Sequence, residues 1–469
     1  MISRLSPGVK HTLMYGFSIA LMKGVSLIML PIFAYYLTAD EFGRLEVISS
    51  LAVIGSILVG MGLEATLFRF VSETNDLTEQ KRIAADIFSL AIIIGLCSAF
   101  FGWYIASTVA NYLPGEPSVY QIRVTFLILS LEGCIAIPLG WLRMHDRVYH
   151  FFFITTGRAL LQALLTAYML WIGGSVTEIL EASLIAAVLT AGVLVYLQIK
   201  ETRLNINLRN IYQFLIYSAP LVASGIVAFG LNGLDRWILA EHATLTDVAH
   251  FGVAAKFSLA LVLLLQPFNM WWSPRRFIVI KQQNGSYKVA QFITIGIALT
   301  LILSVIVGLS SPLLIAWLLP DSYAISAHYV IGLVIAMAFK EIADLVNIGC
   351  FTGETTASQL VINVFAVTIG VSTMLLLTTD YVVWGIIYGL IAAQATRLIL
   401  FFFMSQHFLP LSYPKLPLLF LGCFSVVLIV LGGMTSTLVF QITALLMSTL
   451  LLSVAAVMLK LLPLNISVQ

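Results

Sequence analysis

Charge is scarce in this chain. Of 469 residues, 10% are Asp, Glu, Lys or Arg, against about 25% in an ordinary soluble domain. Apolar residues make up 60%, and the mean hydropathy is +1.02. That balance excludes a soluble enzyme. The net charge of +2 gives no basic excess to attract nucleic acid, so no nucleic-acid partner is expected. Cysteine is rare too. Cys97, Cys134, Cys350 and Cys423 lie scattered through apolar runs, without the spacing of a metal site or a CxxC pair. There is no GxxxxGK[ST] loop, and the histidines are dispersed. No nucleotide, metal or other cofactor is therefore expected. Nor is there a long hydrophilic stretch between the apolar runs to house a catalytic domain. That lack argues against a membrane glycosyltransferase or polymerase.

What the chain has in quantity is long apolar runs. A helix crossing a bilayer needs roughly 20 apolar residues. Fourteen runs meet that length: 12–36, 45–70, 83–108, 122–142, 151–172, 178–199, 213–239, 251–272, 289–309, 326–348, 357–377, 381–404, 417–434 and 438–459. They do not alternate as barrel strands do, and backbone in lipid must be satisfied within its own segment. The expected fold class is all-α: a polytopic membrane protein of about fourteen transmembrane helices. The first run continues through Phe33-Ala34-Tyr35-Tyr36, longer than the apolar region of a signal peptide, and is read as a retained span. Basic residues set the orientation. With the N-terminus in the cytosol, Lys81, Arg82, Arg143, Arg147, Lys200, Arg203, Arg209, Arg275, Arg276, Lys281, Lys288, Lys415 and Lys460 join Arg4 and Lys10 inside, while Arg44, Arg123 and Arg236 lie outside. Both termini are expected to be cytoplasmic.

The start and the middle of the chain resemble each other. Phe42-Gly43 and Phe251-Gly252 each follow a short acidic turn and open a span, and the same offset carries Glu132 onto Glu341. The period is six spans, so both halves insert with the same orientation. Two six-helix bundles related by an axis along the membrane normal are expected, at 1–205 and 206–408, with two additional helices at 409–469.

Three stretches resemble the polysaccharide transporter family, the Wzx-type O-antigen flippases of the multidrug/oligosaccharidyl-lipid/polysaccharide exporter superfamily. They are Leu30-Pro31 leading to Tyr36-Leu37-Thr38-Ala39-Asp40-Glu41-Phe42-Gly43, then Asn232-Gly233-Leu234-Asp235-Arg236-Trp237-Ile238-Leu239, then Phe251-Gly252-Val253-Ala254-Ala255-Lys256. The resemblance implies a flippase of a bacterial plasma membrane. Its cargo would be an undecaprenyl-pyrophosphate-linked oligosaccharide, moved from inner to outer leaflet for O-antigen, capsule or exopolysaccharide synthesis. A polysaccharide polymerase and chain-length machinery are the implied protein partners, and membrane lipid is the surroundings.

Ionisable residues within spans each need a reason, since one at the bilayer centre costs about 2.5–3.5 kcal/mol. Lys23, Lys256, Arg158, Lys340 and Arg397 are candidate ligands for the anionic head of a cargo lipid. Bland explanations stand beside each. Lys23 is within reach of an ion pair with Glu64 or Glu132, Lys256 and Arg397 of snorkelling, Arg158 of Gln162 one turn on, and Lys340 of Glu341 and Asp344. Arg69 ends its span at the cytosolic face, and Asp86 reads as an interfacial acid at the start of span 3. Asp235 and Arg236 are adjacent and so are expected to pair elsewhere, either closing an outer gate or anchoring a span end. Pro31, Pro138, Pro220 and Pro267 mark expected kinks. Asn232, Asn269, Asn363 and Gln394 are candidate polar lining for a wet cleft. Alternating access, with phosphate held by Lys23 and Lys256, is the expected mechanism. A drug/cation antiporter of the same superfamily generally needs a buried acid, and span 1 carries Lys23 and none. A peptidoglycan-precursor flippase is the nearer alternative.

Overall fold

The computed structural model describes residues 7–351, 357–433 and 437–462. Among them there are helices and no strand. The chain forms two compact units, Met1–Thr246 and Asp247–Gln469. The first is built from α1 (Pro7–Tyr36), α2 (Ala39–Gly60), α3 (Leu63–Ser72), α4 (Leu77–Tyr112), α5 (Val119–Ser130), α6 (Glu132–Met144), α7 (Val148–Trp171), α8 (Val176–Thr202), α9 (Leu208–Phe229) and α10 (Leu234–His242). The second holds α11 (Leu245–Val279), α12 (Gly285–Leu318), α13 (Ser326–Val346), α14 (Ala357–Tyr381), α15 (Val383–Phe408), α16 (Lys415–Gly433) and α17 (Leu438–Met458).

The seventeen segments make fourteen spans, because three spans are broken. The pairs α2/α3, α5/α6 and α9/α10 each run on as one apolar stretch, at Ala39–Ser72, Val119–Met144 and Asn210–His242. Twelve stretches are long and apolar enough to cross a membrane. The shorter apolar stretch Gly24–Tyr36 of α1, and α13 with its Lys340, Glu341 and Asp344, bring the number to the expected fourteen.

The breaks fall at Met61–Gly62, at Leu131 and at 230–233, whereas Pro31, Pro138 and Pro220 sit inside continuous helices. Met61 and Gly62 are both left-handed, at φ 45° and 62°, and two such residues in succession cannot continue a right-handed helix. Each second half-helix opens with an acid in its first turn: Glu64 in α3, Glu132 in α6 and Asp235 in α10. A helix N-terminus carries about half a positive charge, so these three acids lie where the backbone itself stabilises an anion. Patterning alone read all three spans as unbroken, since apolar residues continue through each break.

The motif around Phe42-Gly43 has a local cause. Thr38 caps α2, and Glu41 answers it in a capping box: the Thr38 amide donates to Glu41 Oε2 at 2.9 Å and the Glu41 amide to Thr38 Oγ1 at 3.3 Å. Phe42 is fully buried, and a Cβ on Gly43 would overlap the Leu245 carbonyl, so glycine lets the two chain segments close. Inside the first unit, Trp141, Phe88, Leu67 and Phe214 form an apolar core. In the second, Trp272 packs with Ile293, Ile297 and Phe401. In lipid, tight packing rather than water exclusion holds such helices together.

Candidate functional site

In the first unit most intramembrane charges are paired. Glu64 forms an ion pair with Arg143, which also lies over the rings of Phe68 and Phe151, at 5.1 and 5.7 Å. Arg143 is thus a span residue joining α6 to α3, rather than the loop cation its position in the sequence implies. Arg236 reaches Glu46 at 3.1 Å through Nε, and through Nη1 it binds both oxygens of Asp235 at 3.1 and 3.2 Å. The expectation that Asp235 and Arg236 pair elsewhere holds for Arg236, through Glu46, but the two also pair with each other. They open α10, where the long guanidinium stem folds back onto the preceding carboxylate. Asp86 is also corrected. It lies well inside α4, is fully buried, and accepts hydrogen bonds from Asn205 at 2.6 Å and Asn210 at 2.8 Å. It fastens the α8–α9 connection to α4.

Arg158 is different. It is half-buried in α7, and among the described residues it makes no hydrogen bond or ion pair. Gln162, its expected partner, donates instead to Ser183 on α8 at 2.9 Å. The charge that bears on Arg158 is that of Glu132, at the start of α6. The Lys23 side chain lies outside the described residues.

The second unit holds the densest group of charges. On α13, Lys340 Nζ donates to Glu341 Oε1 at 2.9 Å and, one turn on, to Asp344 Oδ2 at 3.5 Å. Arg397 of α15 donates through Nη2 to Asp344 Oδ1 at 2.8 Å and through Nε to Asn363 of α14 at 2.9 Å. Asn269 of α11 donates to the other oxygen of Glu341 at 3.0 Å. Arg276 of α11 also feels the Asp344 charge, and its Nη1 lies 3.4 Å from Asn347 Oδ1. Four helices thus meet in one cluster of three cations and two acids. Lys256 lies half-buried elsewhere on α11, engaged in an interaction of its own.

An apolar groove of about 730 Å³ runs beside this cluster, walled by α12, α13, α15 and α16. From α13 it takes Ile335, Ala338, Ile342 and Val346, and from α15 Leu398 and Phe402. With about 3.6 residues per turn, those α13 positions lie on the face opposite Lys340 and Asp344. The same holds on α15 for Ile399 and Phe402 against Arg397, while Leu398 lies at the side of the helix. The helix pair therefore shows ions on one side and only apolar side chains to the slot on the other. Lys415 and Tyr413 line the groove where α16 begins. The Tyr413 hydroxyl is buried without a partner among the described residues, and burial holds its phenol above the usual range, so it stays a neutral donor.

The sequence pointed to Lys340 and Arg397 and paired Asp344 with Lys340 alone, without its link to Arg397, and left Arg276 in a cytosolic loop. Of the polar lining candidates, Asn269 and Asn363 join the cluster, whereas Asn232 donates to the Ala228 carbonyl at 2.9 Å, within the α9–α10 break. The Gln394 side-chain oxygen, one turn before Arg397, has no partner among the described residues. No spacing rule links residues so far apart in sequence. The one local signal was the Lys340/Asp344 turn.

A family model described as "Polysaccharide biosynthesis protein" matches residues 9–279. No curated protein matches the chain. A solved structure described as "Lipid II flippase MurJ, inward closed conformation" superposes with a TM-score of 0.73 at 12% identity, covering 96% of this chain and 99% of that one. An inward-facing multidrug resistance MATE family transporter of the MOP superfamily gives a TM-score of 0.58 at 14% identity, over 83% of this chain and 94% of that one. An outward-facing one gives 0.52 at 15% identity, over 86% and 98%. At such identities the likeness is one of fold.

Proposed function

Because the chain belongs to the polysaccharide biosynthesis protein family, we propose that it is a flippase moving a polyprenyl-pyrophosphate-linked oligosaccharide from the cytoplasmic to the outer leaflet of a bacterial plasma membrane. The observation that carries this reading is the back-to-back arrangement on α13 and α15. Lys340, Arg397 and Arg276 gather on one side, and a groove of about 730 Å³ lies on the other. Such a pair of surfaces, within the roughly 10 Å thickness of a helix, suits a molecule with an anionic head and an isoprenoid tail.

The physics of the cargo explains the division. Sugar hydroxyls and phosphate lose several kcal/mol per unpaired group in hydrocarbon, whereas the tail loses nothing there. The protein must supply a wet cationic surface for the head alone. Arg158 adds a further cation, in the first unit. Helix α16, one of the two beyond the proposed repeat, supplies Leu418, Leu419 and Val426 to the groove, which gives that helix a role as its wall. With both termini in the cytosol, as the basic residues favour, the head cluster lies in the cytoplasmic half, where the lipid-linked saccharide is made. Alternating access then exposes the head to the other side. Lys23 and Lys256 remain proposed head ligands on the same scheme, and Asp235–Arg236–Glu46 and Glu64–Arg143 are proposed to lock helices between states. Delivery to a polymerase and chain-length machinery would follow release.

The test is deletion of the gene, followed by analysis of lipid-linked saccharides in each leaflet. A saccharide-bearing polyprenyl pyrophosphate should accumulate on the cytoplasmic leaflet while surface glycan is lost. Normal surface glycan with no accumulation, or loss of cationic dye extrusion in its place, would exclude this cargo.

A further inference from the structure

We propose that Asp344 is a built-in competitor for the cargo's anionic head. Its carboxylate occupies the place between Lys340 and Arg397 that a phosphate group takes, and yields it when pyrophosphate arrives. The proposal rests on the flippase reading and adds how the empty site is kept selective.

The two acids of the cluster are held in different ways. Glu341 is buried, its side chain 4% exposed, and its two oxygens are committed to Lys340 and Asn269. Asp344 is 38% exposed, and its oxygens are divided between two cations, Arg397 at 2.8 Å and Lys340 at the looser 3.5 Å. Arg276 lies in its field as well. An acid serving only to join helices looks like Asp86, fully buried on two amide donors. Asp344 instead is the most exposed acid of its group and sits at the focus of the cations. A carboxylate bridging a guanidinium and an ammonium copies the way those groups hold phosphate.

The surroundings keep that place ready once Asp344 leaves. Arg397 is fixed through Nε by Asn363, so its Nη2 stays aimed at the same point. Lys340 keeps Glu341. With Asp344 in place the five groups sum to one positive charge, and with it displaced to two. A neutral or zwitterionic lipid head offers too little charge to displace the carboxylate. A pyrophosphate, with more oxygens and more charge, does so. The acid thus offsets positive charge that Glu341 alone leaves unbalanced and sets the charge a ligand must bring.

The experiment uses the full-length protein in phosphatidylcholine nanodiscs, titrated with inorganic pyrophosphate. Asp344→Asn should bind about ten-fold tighter than wild type, within the range usual for a coupling between competing groups. Arg397→Gln should remove the gain in that background. Asp344→Ser, which keeps a hydroxyl for Arg397, should show the same gain. Unchanged or weaker pyrophosphate binding in a folded Asp344→Asn protein overturns the proposal, as does failure of both variants to fold. Two further arms identify the source of the phosphate. Phosphatidylglycerol in the nanodisc should leave the affinity of the wild type unchanged, whereas undecaprenyl pyrophosphate should compete. The reverse pattern overturns the cargo and makes the site one for phospholipid heads. Because bare pyrophosphate reports on Asp344 alone, a ten-fold gain without lipid-linked saccharide accumulating in the deletion strain separates failure of the flippase reading from failure of this one.

Discussion

Arg158 and Arg397 are both guanidiniums in apolar helices, yet their surroundings differ. Arg397 is held by Asp344 and Asn363, while Arg158 meets no such partner among the described residues. An unpaired cation in a span is costly and is kept where it meets water or a ligand. Replacing Arg158 by Ala should therefore cost little stability and most of the transport, with Lys restoring part of it. Surface glycan measured at matched protein levels checks this, and full glycan in Arg158→Ala would remove it from the mechanism. Asp86 has the opposite profile. Asp86→Ala leaves two amides unsatisfied beside a buried helix and should cost about 1–3 kcal/mol, seen as a lower melting temperature. Residue type flagged these positions in the sequence, because each charge in an apolar run stands out. Partners were another matter. Asp86 meets Asn205 and Asn210 from beyond four intervening helices, and Glu64 meets Arg143 from a span away. Distances of that kind are set by packing and leave no local pattern.

At the scale of elements, helix number was legible and helix continuity was not. Hydropathy counts apolar length, and length survives a break that occupies one to four residues. The Met61–Gly62 break carries a faint mark, a glycine where φ is positive, but glycine is common in membrane helices and the mark is weak. Gly62→Val forces a β-branched side chain into a left-handed position and should destabilise by about 1–2 kcal/mol. Thermal unfolding of the purified protein would show it, and an unchanged midpoint would mean the break relaxes. The groove was invisible in the sequence, since its walls are apolar residues like hundreds of others. Gly422 lies in one wall with open space where a Cβ would go. Gly422→Trp should fill the slot without disturbing the helix and should abolish transport. Gly192→Trp, on an exposed face of α8 with equal room, is the control and should leave transport intact.

For the whole molecule, the sequence carried the membrane class, the fourteen spans and the family resemblance, because these are sums over many residues. The central idea is that a cation cluster and an apolar slot share α13 and α15 to hold the two ends of one lipid. Its most direct test is native mass spectrometry of the protein purified from its own membrane. Wild type should carry a saccharide-bearing polyprenyl pyrophosphate, and both Gly422→Trp and Arg397→Gln should lose it while staying folded. Undiminished lipid in the two variants, or no such lipid on the wild-type protein, would contradict the shared site.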